Sequence, residues 1–172
     1  MKVLATLDGS PLSEEVVPFA TTLAKETSGT LLLLIVAKAG EGIYRGAEPP
    51  SADAMPSAPT STTQVMRGQG VVPIETTDQA YARAEADATD YLARIAAPAR
   101  AQGVPVDTKA VISENVVPAI LEAARTARVD LIAMTTHGRS GLRAAVQGSV
   151  ASAVVRAGEF PVLLVRPGTK PS

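Results

Sequence analysis

Five short runs of apolar, largely branched residues recur along the chain, at residues 3–7, 31–37, 104–111, 131–135 and 162–165. Stretches with the 3.6-residue period of amphipathic helices separate them. Strands alternating with helices are joined by crossovers rather than hairpins, and crossovers lay helices over the faces of a parallel sheet. The predicted fold is therefore α/β, a doubly wound five-stranded parallel sheet with helices on both faces. A length of 172 residues matches one domain of roughly 100–200 residues, and residues 1–172 are read as such. An apolar content of 46% with only 3% aromatic residues builds the core from Ala, Val, Leu and Ile, as a helix-clad parallel sheet requires.

The helix signals are local. Ser10 is placed as an N-cap, Pro11 takes the first helical position, Glu14 and Glu15 follow in the opening turns, and Ser28-Gly29 is the stop. Pro18 inside this helix predicts a kink. A second helix is expected from about Asp78 to Gln102, apolar at Ala80, Ala84, Ala88, Tyr91, Leu92 and Ile95, with Gly103 or the earlier Pro98 as its end. A third spans roughly Asn115 to Arg128, and a fourth starts at Gly148-Ser149 and stops at Gly158. The segments SEEVVPFA at Ser13 and SENVVPAI at Ser113 echo one another, which reads as similar helix-start chemistry. Residues 38–77 are crowded with Gly, Pro, Ser, Ala and Thr and show no period. An insert of that length is either a functional lid or disordered.

Composition removes several function classes. A formal net charge of −1 with scattered Arg lacks the basic footprint of nucleic-acid binding, and few aromatic residues leave no stacking platform for bases. No nucleic acid is expected as a partner. The opening MKVLATL reads as a strand rather than a basic-then-apolar leader, and no apolar run approaches the roughly 18 residues of a membrane span. No membrane partner is expected, and a cytoplasmic location is. The absence of Cys agrees with that location and removes disulfide and thiol chemistry; with a single His, the usual zinc sites go too.

In a doubly wound sheet, ligands bind outside the carboxyl ends of the strands where the winding reverses. With strand one central and strand four beside it, the loops after Leu7 and after Thr135 would face one crevice. In the second loop, Gly138 and Gly141 allow tight turns with exposed amides, and Gly148 clears the mouth of the next helix. Ser149 and Val150 then present amides at a helix N-terminus, where an anion gains about 0.3–1 kcal/mol. Arg139, with Arg143 further along, supplies charge for phosphate oxygens. The competing reading is that these glycines only end a strand and open a helix. Asp8 is similarly two-sided: a turn or capping residue, or an acceptor for a ribose hydroxyl, an adenine amino group or a divalent cation. The loop is not G-x-x-x-x-G-K-[ST], no G-x-G-x-x-G follows strand one, and Gly138-Arg139-Ser140-Gly141 is not a G-x-S-x-G elbow. His137 and Ser140 read as turn residues before catalysts.

Taken together, LDGS after the first strand, MTTHGRSGL at the fourth, Gly148-Ser149-Val150 and the terminal FPVLLVRP resemble the universal stress protein family. The resemblance covers nearly the whole chain and is most specific in its last third. It implies a Rossmann-like sheet of the adenine nucleotide alpha hydrolase-like type. One subgroup of the family binds ATP through Gly, two residues, Gly, nine residues, Gly and Ser or Thr. Gly138, nine residues, Gly148 and Ser149 fit that motif, while its first glycine is Thr135 here. A Thr side chain at that point crowds the ribose or replaces a contact with its hydroxyl. The resemblance implies that Asp8 and Val36 meet the adenosine end. It also implies that Gly138, Arg139, Gly141, Gly148, Ser149 and Val150 hold the phosphates, that Met134 and Thr135 border the pocket, and that ATP arrives with Mg²⁺ or Mn²⁺.

Residues 162–165 are wholly apolar, lie between Pro161 and Pro167, and as an edge strand would expose unpaired backbone groups. The resemblance implies a homodimer joined through Val162–Val165; the alternative is an edge covered by the chain's own tail. The expected function is a cytoplasmic stress-response protein that binds ATP or another adenine nucleotide as a homodimeric sensor or regulator. A nucleotide-free interaction scaffold, favoured by Thr135, is the first alternative. An ATP-dependent enzyme is the second. No residue beside the proposed phosphates is an evident general base, and neither an SGGxDS loop nor a paired-His motif is present, so any hydrolysis is expected to be slow.

Overall fold

The computed structural model describes residues 1–38, 77–136 and 149–169. In chain order its elements are β1 (Lys2–Leu7), α1 (Pro11–Glu14), α2 (Val16–Glu26), β2 (Thr30–Ala37), α3 (Thr77–Ala101), β3 (Val106–Ile112), α4 (Val116–Ala127), β4 (Leu131–Thr135), α5 (Ser149–Ala157) and β5 (Val162–Val165). The five strands form one parallel sheet in the order β3-β2-β1-β4-β5. The chain winds outward from β1 to β3, then crosses back to β4 and continues to β5. The reversal falls between β1 and β4, as expected from the sequence.

Side chains of alternate residues point to opposite faces of a strand, and the core divides accordingly. Val3, Ala5, Leu31, Leu33 and Ile35 pack with Val16 and Ala20 of α2 and with Ala88, Leu92 and Ala96 of α3. On the other face, Leu4, Leu32, Leu34 and Ile132 pack with Ile120 and Ala124 of α4 and Val154 of α5. Because β2 is covered on both sides, its sequence TLLLLIVA is a continuous apolar run with no alternation. Each of its fully buried Leu side chains contributes about 1.5–3 kcal/mol.

The local expectations hold with three amendments, each with a physical cause. The predicted first helix is two, because Pro18 lacks the N–H that would bond the Glu14 carbonyl and its ring would collide with that group. The chain breaks at Glu15, and Pro18 becomes the third residue of α2, where no intrahelical donor is required. Pro118 occupies the same place in α4. Pro98, by contrast, does not end α3: Ala96 and Ala99 around it are fully buried against the sheet, and that packing outweighs one missing bond. Finally, Val104 is not part of β3. Its N–H donates to the Ala99 carbonyl (3.2 Å), closing the helix, and the ladder starts only at Val106, paired with Leu31. Val104 is apolar because it is buried, not because it is a strand residue.

Candidate functional site at the carboxyl edge of the central strands

The turn after β1 is built from a dense local network. Gly9 has φ 83°, a left-handed conformation open to glycine, and it swings the chain from strand into helix. Asp8 Oδ1 accepts from the Ser10 amide (2.9 Å) and from the Ser10 hydroxyl (2.6 Å). Ser10 Oγ in turn accepts from the Ser13 amide (3.2 Å), the N-cap bond expected of it. Ser13 Oγ donates to the Ser10 carbonyl (2.8 Å) and accepts from the Asp8 amide (3.2 Å). Asp8 thus fills the turn role read from the sequence, and the network holds its backbone from both sides.

Register places the other candidates around it. Leu7 pairs with Ile35 and Ala5 with Ala133, so Asp8 lies beside Val36 on one flank and beside the end of β4, at Thr135 and Thr136, on the other. Met134 is buried, and Val36 and Val150 are partly buried, in a single apolar cluster on the α4–α5 face. Val150 belongs to the first turn of α5, so the N-terminus of that helix opens beside this cluster. Thr135 is buried, with 8% of its surface exposed, and the Thr136 amide bonds the Val165 carbonyl (3.0 Å). Asp8, Val36, Met134 and Thr135 therefore stand along one carboxyl edge of the three central strands, with Val150 in the first turn of α5 on the Val36–Met134 face. His137, Gly138, Arg139, Ser140, Gly141, Arg143 and Gly148 lie outside the described residues, as does the side chain of Ser149. So does nearly all of the 38–77 insert.

Two features of this edge were not evident in the sequence. Lys38 Nζ is 3.8 Å from the Glu114 carboxylate, joining the ends of β2 and β3. Ser13, Glu14 and Tyr91 form the second. The Tyr91 phenol on α3 is held well above the ordinary tyrosine range, chiefly by burial and next by the Glu14 carboxylate. Its ring lies under Arg94, whose guanidinium carbon is 5.3 Å from the ring centroid and whose Nη2 is 3.9 Å from Glu14. In the sequence Tyr91 is indistinguishable from any apolar residue on the inner face of a helix.

Among the described residues, no group of three or more His, Cys, Asp or Glu gathers to hold a metal ion, and no helix is long and apolar enough to cross a membrane. At the far edge, β5 pairs with β4 alone among the described residues. Leu164 on β5 and Val155 on α5 are exposed, at 39% and 45%. The Gly168 amide donates to the Glu15 carboxylate, so the chain after β5 turns toward the α1–α2 junction.

A sheet of this order, with its reversal beside an Asp-Gly-Ser turn and an opposing helix N-terminus, defines a Rossmann-like α/β fold. The chain belongs to the universal stress protein family, whose model matches residues 1–166. It is 29% identical to universal stress protein YxiE of Bacillus subtilis over 167 residues, covering 96% of this chain and 98% of that protein. Among solved structures, the universal stress protein UspA from Lactobacillus plantarum superposes with a TM-score of 0.68 at 19% identity, covering 96% of this chain and 97% of the other. A universal stress protein in complex with cAMP superposes with a TM-score of 0.61 at 21% identity, covering 98% of each chain.

Proposed function

We propose that this chain is an adenine-nucleotide-binding regulator of the universal stress protein family that works as a homodimer, with ATP as its ligand. The observation that carries the reading is the gathering of Asp8, Val36, Met134, Thr135 and the start of α5 at the β1–β4 reversal. The cAMP complex of a relative with the same fold supports an adenosine monophosphate unit as the common element. In this reading Val36 and Met134 offer apolar surface to the base and Asp8 accepts from the adenosine. Gly138, Arg139, Gly141, Gly148, Ser149 and Val150 receive the phosphates at the mouth of α5.

A divalent cation, Mg²⁺ or Mn²⁺, would be held through the phosphate oxygens, because the described residues provide no carboxylate cluster for it. Residues 1–172 act as one domain, the protein works in the cytoplasm, and the exposed edge of β5 pairs with a second copy. Hydrolysis is slow, since no general base stands at the described edge beyond Asp8, whose Oδ1 is already engaged by Ser10.

Calorimetric titration of nucleotide-stripped protein with ATP and Mg²⁺ tests the reading. Binding in the micromolar range, about −8 kcal/mol, is expected. Gly148→Leu is expected to abolish it while sedimentation shows the dimer intact, because that change blocks the helix mouth and leaves β5 untouched. A second reading, a nucleotide-free scaffold, draws on Thr135 standing where the binding motif has glycine. A purified dimer that carries no nucleotide and gives no heat with ATP or cAMP would establish that reading instead.

A further inference from the structure

Tyr91 carries a hydroxyl that the fold does not use. The residue is 5% exposed, and its oxygen is fully buried with no hydrogen-bond partner among the described residues. A buried hydroxyl without a partner costs about 1–3 kcal/mol, so folding alone would favour Phe at this position. The ring itself is packed in the core cluster on this face of the sheet, with Arg94 over it.

The surroundings of that oxygen belong to the Asp8 turn. Ser13, Glu14 and Asp8 are the groups that act on the phenol, and all three lie in the β1–α1 segment. A serine hydroxyl offers one donor and two acceptor positions. Ser13 Oγ spends its donor on the Ser10 carbonyl and one acceptor on the Asp8 amide, which leaves one acceptor position, and the phenol is a donor with no acceptor. Glu14 is the other acceptor near the phenol, with its Oε1 3.9 Å from Arg94 Nη2, so the double variant with Ser13 tells the two acceptors apart. Moreover, α1 is a single four-residue turn cut from α2 at Glu15, and its Ser13 stands near enough to act on the phenol.

We propose that Tyr91 is a positioning residue for the nucleotide turn: contact of the ligand with Asp8 settles α1 against α3, the Tyr91 hydroxyl then donates to Ser13 Oγ, and Ser13 fixes the Asp8 backbone. The inference rests on the nucleotide-binding reading above. It gives the hydroxyl a purpose that stability does not, because the bond is made when the turn is engaged.

Titration of wild type, Tyr91→Phe, Ser13→Ala and the double variant with Mg²⁺–ATP and with cAMP, alongside thermal melts without nucleotide, tests it. One hydrogen bond of about 1 kcal/mol predicts three- to tenfold weaker binding by Tyr91→Phe, with a melting temperature equal to or above that of wild type. In the Ser13→Ala background the same change is expected to have no further effect on affinity. Wild-type affinity in Tyr91→Phe overturns the inference and leaves nucleotide binding standing. Affinity and melting temperature falling together, or losses that add in the double variant, also overturn it by showing a structural role. A wild type that takes up neither nucleotide overturns both readings at once.

Discussion

SEEVVPFA and SENVVPAI start two helices in the same way and end in different circumstances. In each, the helix opens at the first Val, at Val16 and Val116, and the Pro falls on its third residue. The serines then diverge. Ser13 is 3% exposed, follows the central strand, and ties Asp8 to Ser10. Ser113 follows the edge strand β3 and makes one exposed bond, accepting from the Asn115 amide (3.1 Å). From the first Val onward the two octapeptides share a helical backbone, because proline and its neighbours act over one turn of helix; before it Glu15 is αR and Asn115 is not. Whether the serine becomes part of a site depends on which strand precedes it: β1 has neighbours on both sides and borders the reversal, whereas β3 is an edge.

That contrast can be broken or sharpened by substitution. The largest effect is expected from Gly9→Val, since a β-branched residue in the left-handed region costs about 1–2 kcal/mol or more. The SENVVPAI segment has no such glycine before it. Urea unfolding should show the loss, and nucleotide binding should vanish with the turn.

Next comes the paired comparison of the serines. Ser13→Ala removes a buried acceptor and donor and is expected to cost about 1–3 kcal/mol, whereas Ser113→Ala should stay within about 0.5 kcal/mol. Equal costs would mean that the two segments differ less than their burial suggests.

The smallest effect is expected in alkali. A Tyr91 phenol with a folded-state value raised above its unfolded one binds its proton more tightly in the native protein. The group therefore leaves stability independent of pH below the ordinary tyrosine value of about 10 and lowers it as pH rises beyond that value. Ultraviolet titration of the three tyrosines should find one that ionises only as the chain unfolds, and Tyr91→Phe should remove that phase. A phenol that ionises near 10 in the folded protein would show that the α1–α3 contact admits water.

Much of the fold was legible because its signals are local and repeated. The run LLLLIV in β2 is apolar without alternation, which only a strand buried on both faces requires, and the glycine and proline positions bracketed the helices to within one or two residues. The misreadings arose where tertiary contacts overruled local chemistry. Val104 looked like strand and caps α3; between the two ends read for α3, Gly103 prevails over Pro98 because Ala96 and Ala99 are packed against the sheet. Of the candidate site, the pairing of Asp8 with the end of β4 followed from the fold class. The alignment of Val36 and Met134 with the start of α5 on one face followed once the register was known. Tyr91 was not legible, since an amphipathic pattern records that a residue faces inward and not what its hydroxyl meets.

Periodicity, capping and proline geometry act within a few residues, and so the alternation of strands and helices, the helix starts near Ser10 and Asn115, and the α/β class could be read from the sequence. The tertiary structure alone decided which strand is central and therefore which serine is buried, and it brought the α3 phenol against the Asp8 turn. Burial and pairing of polar groups depend on neighbours far apart in the chain; Tyr91 and Ser13 meet only because α1 and α3 share one face of the sheet.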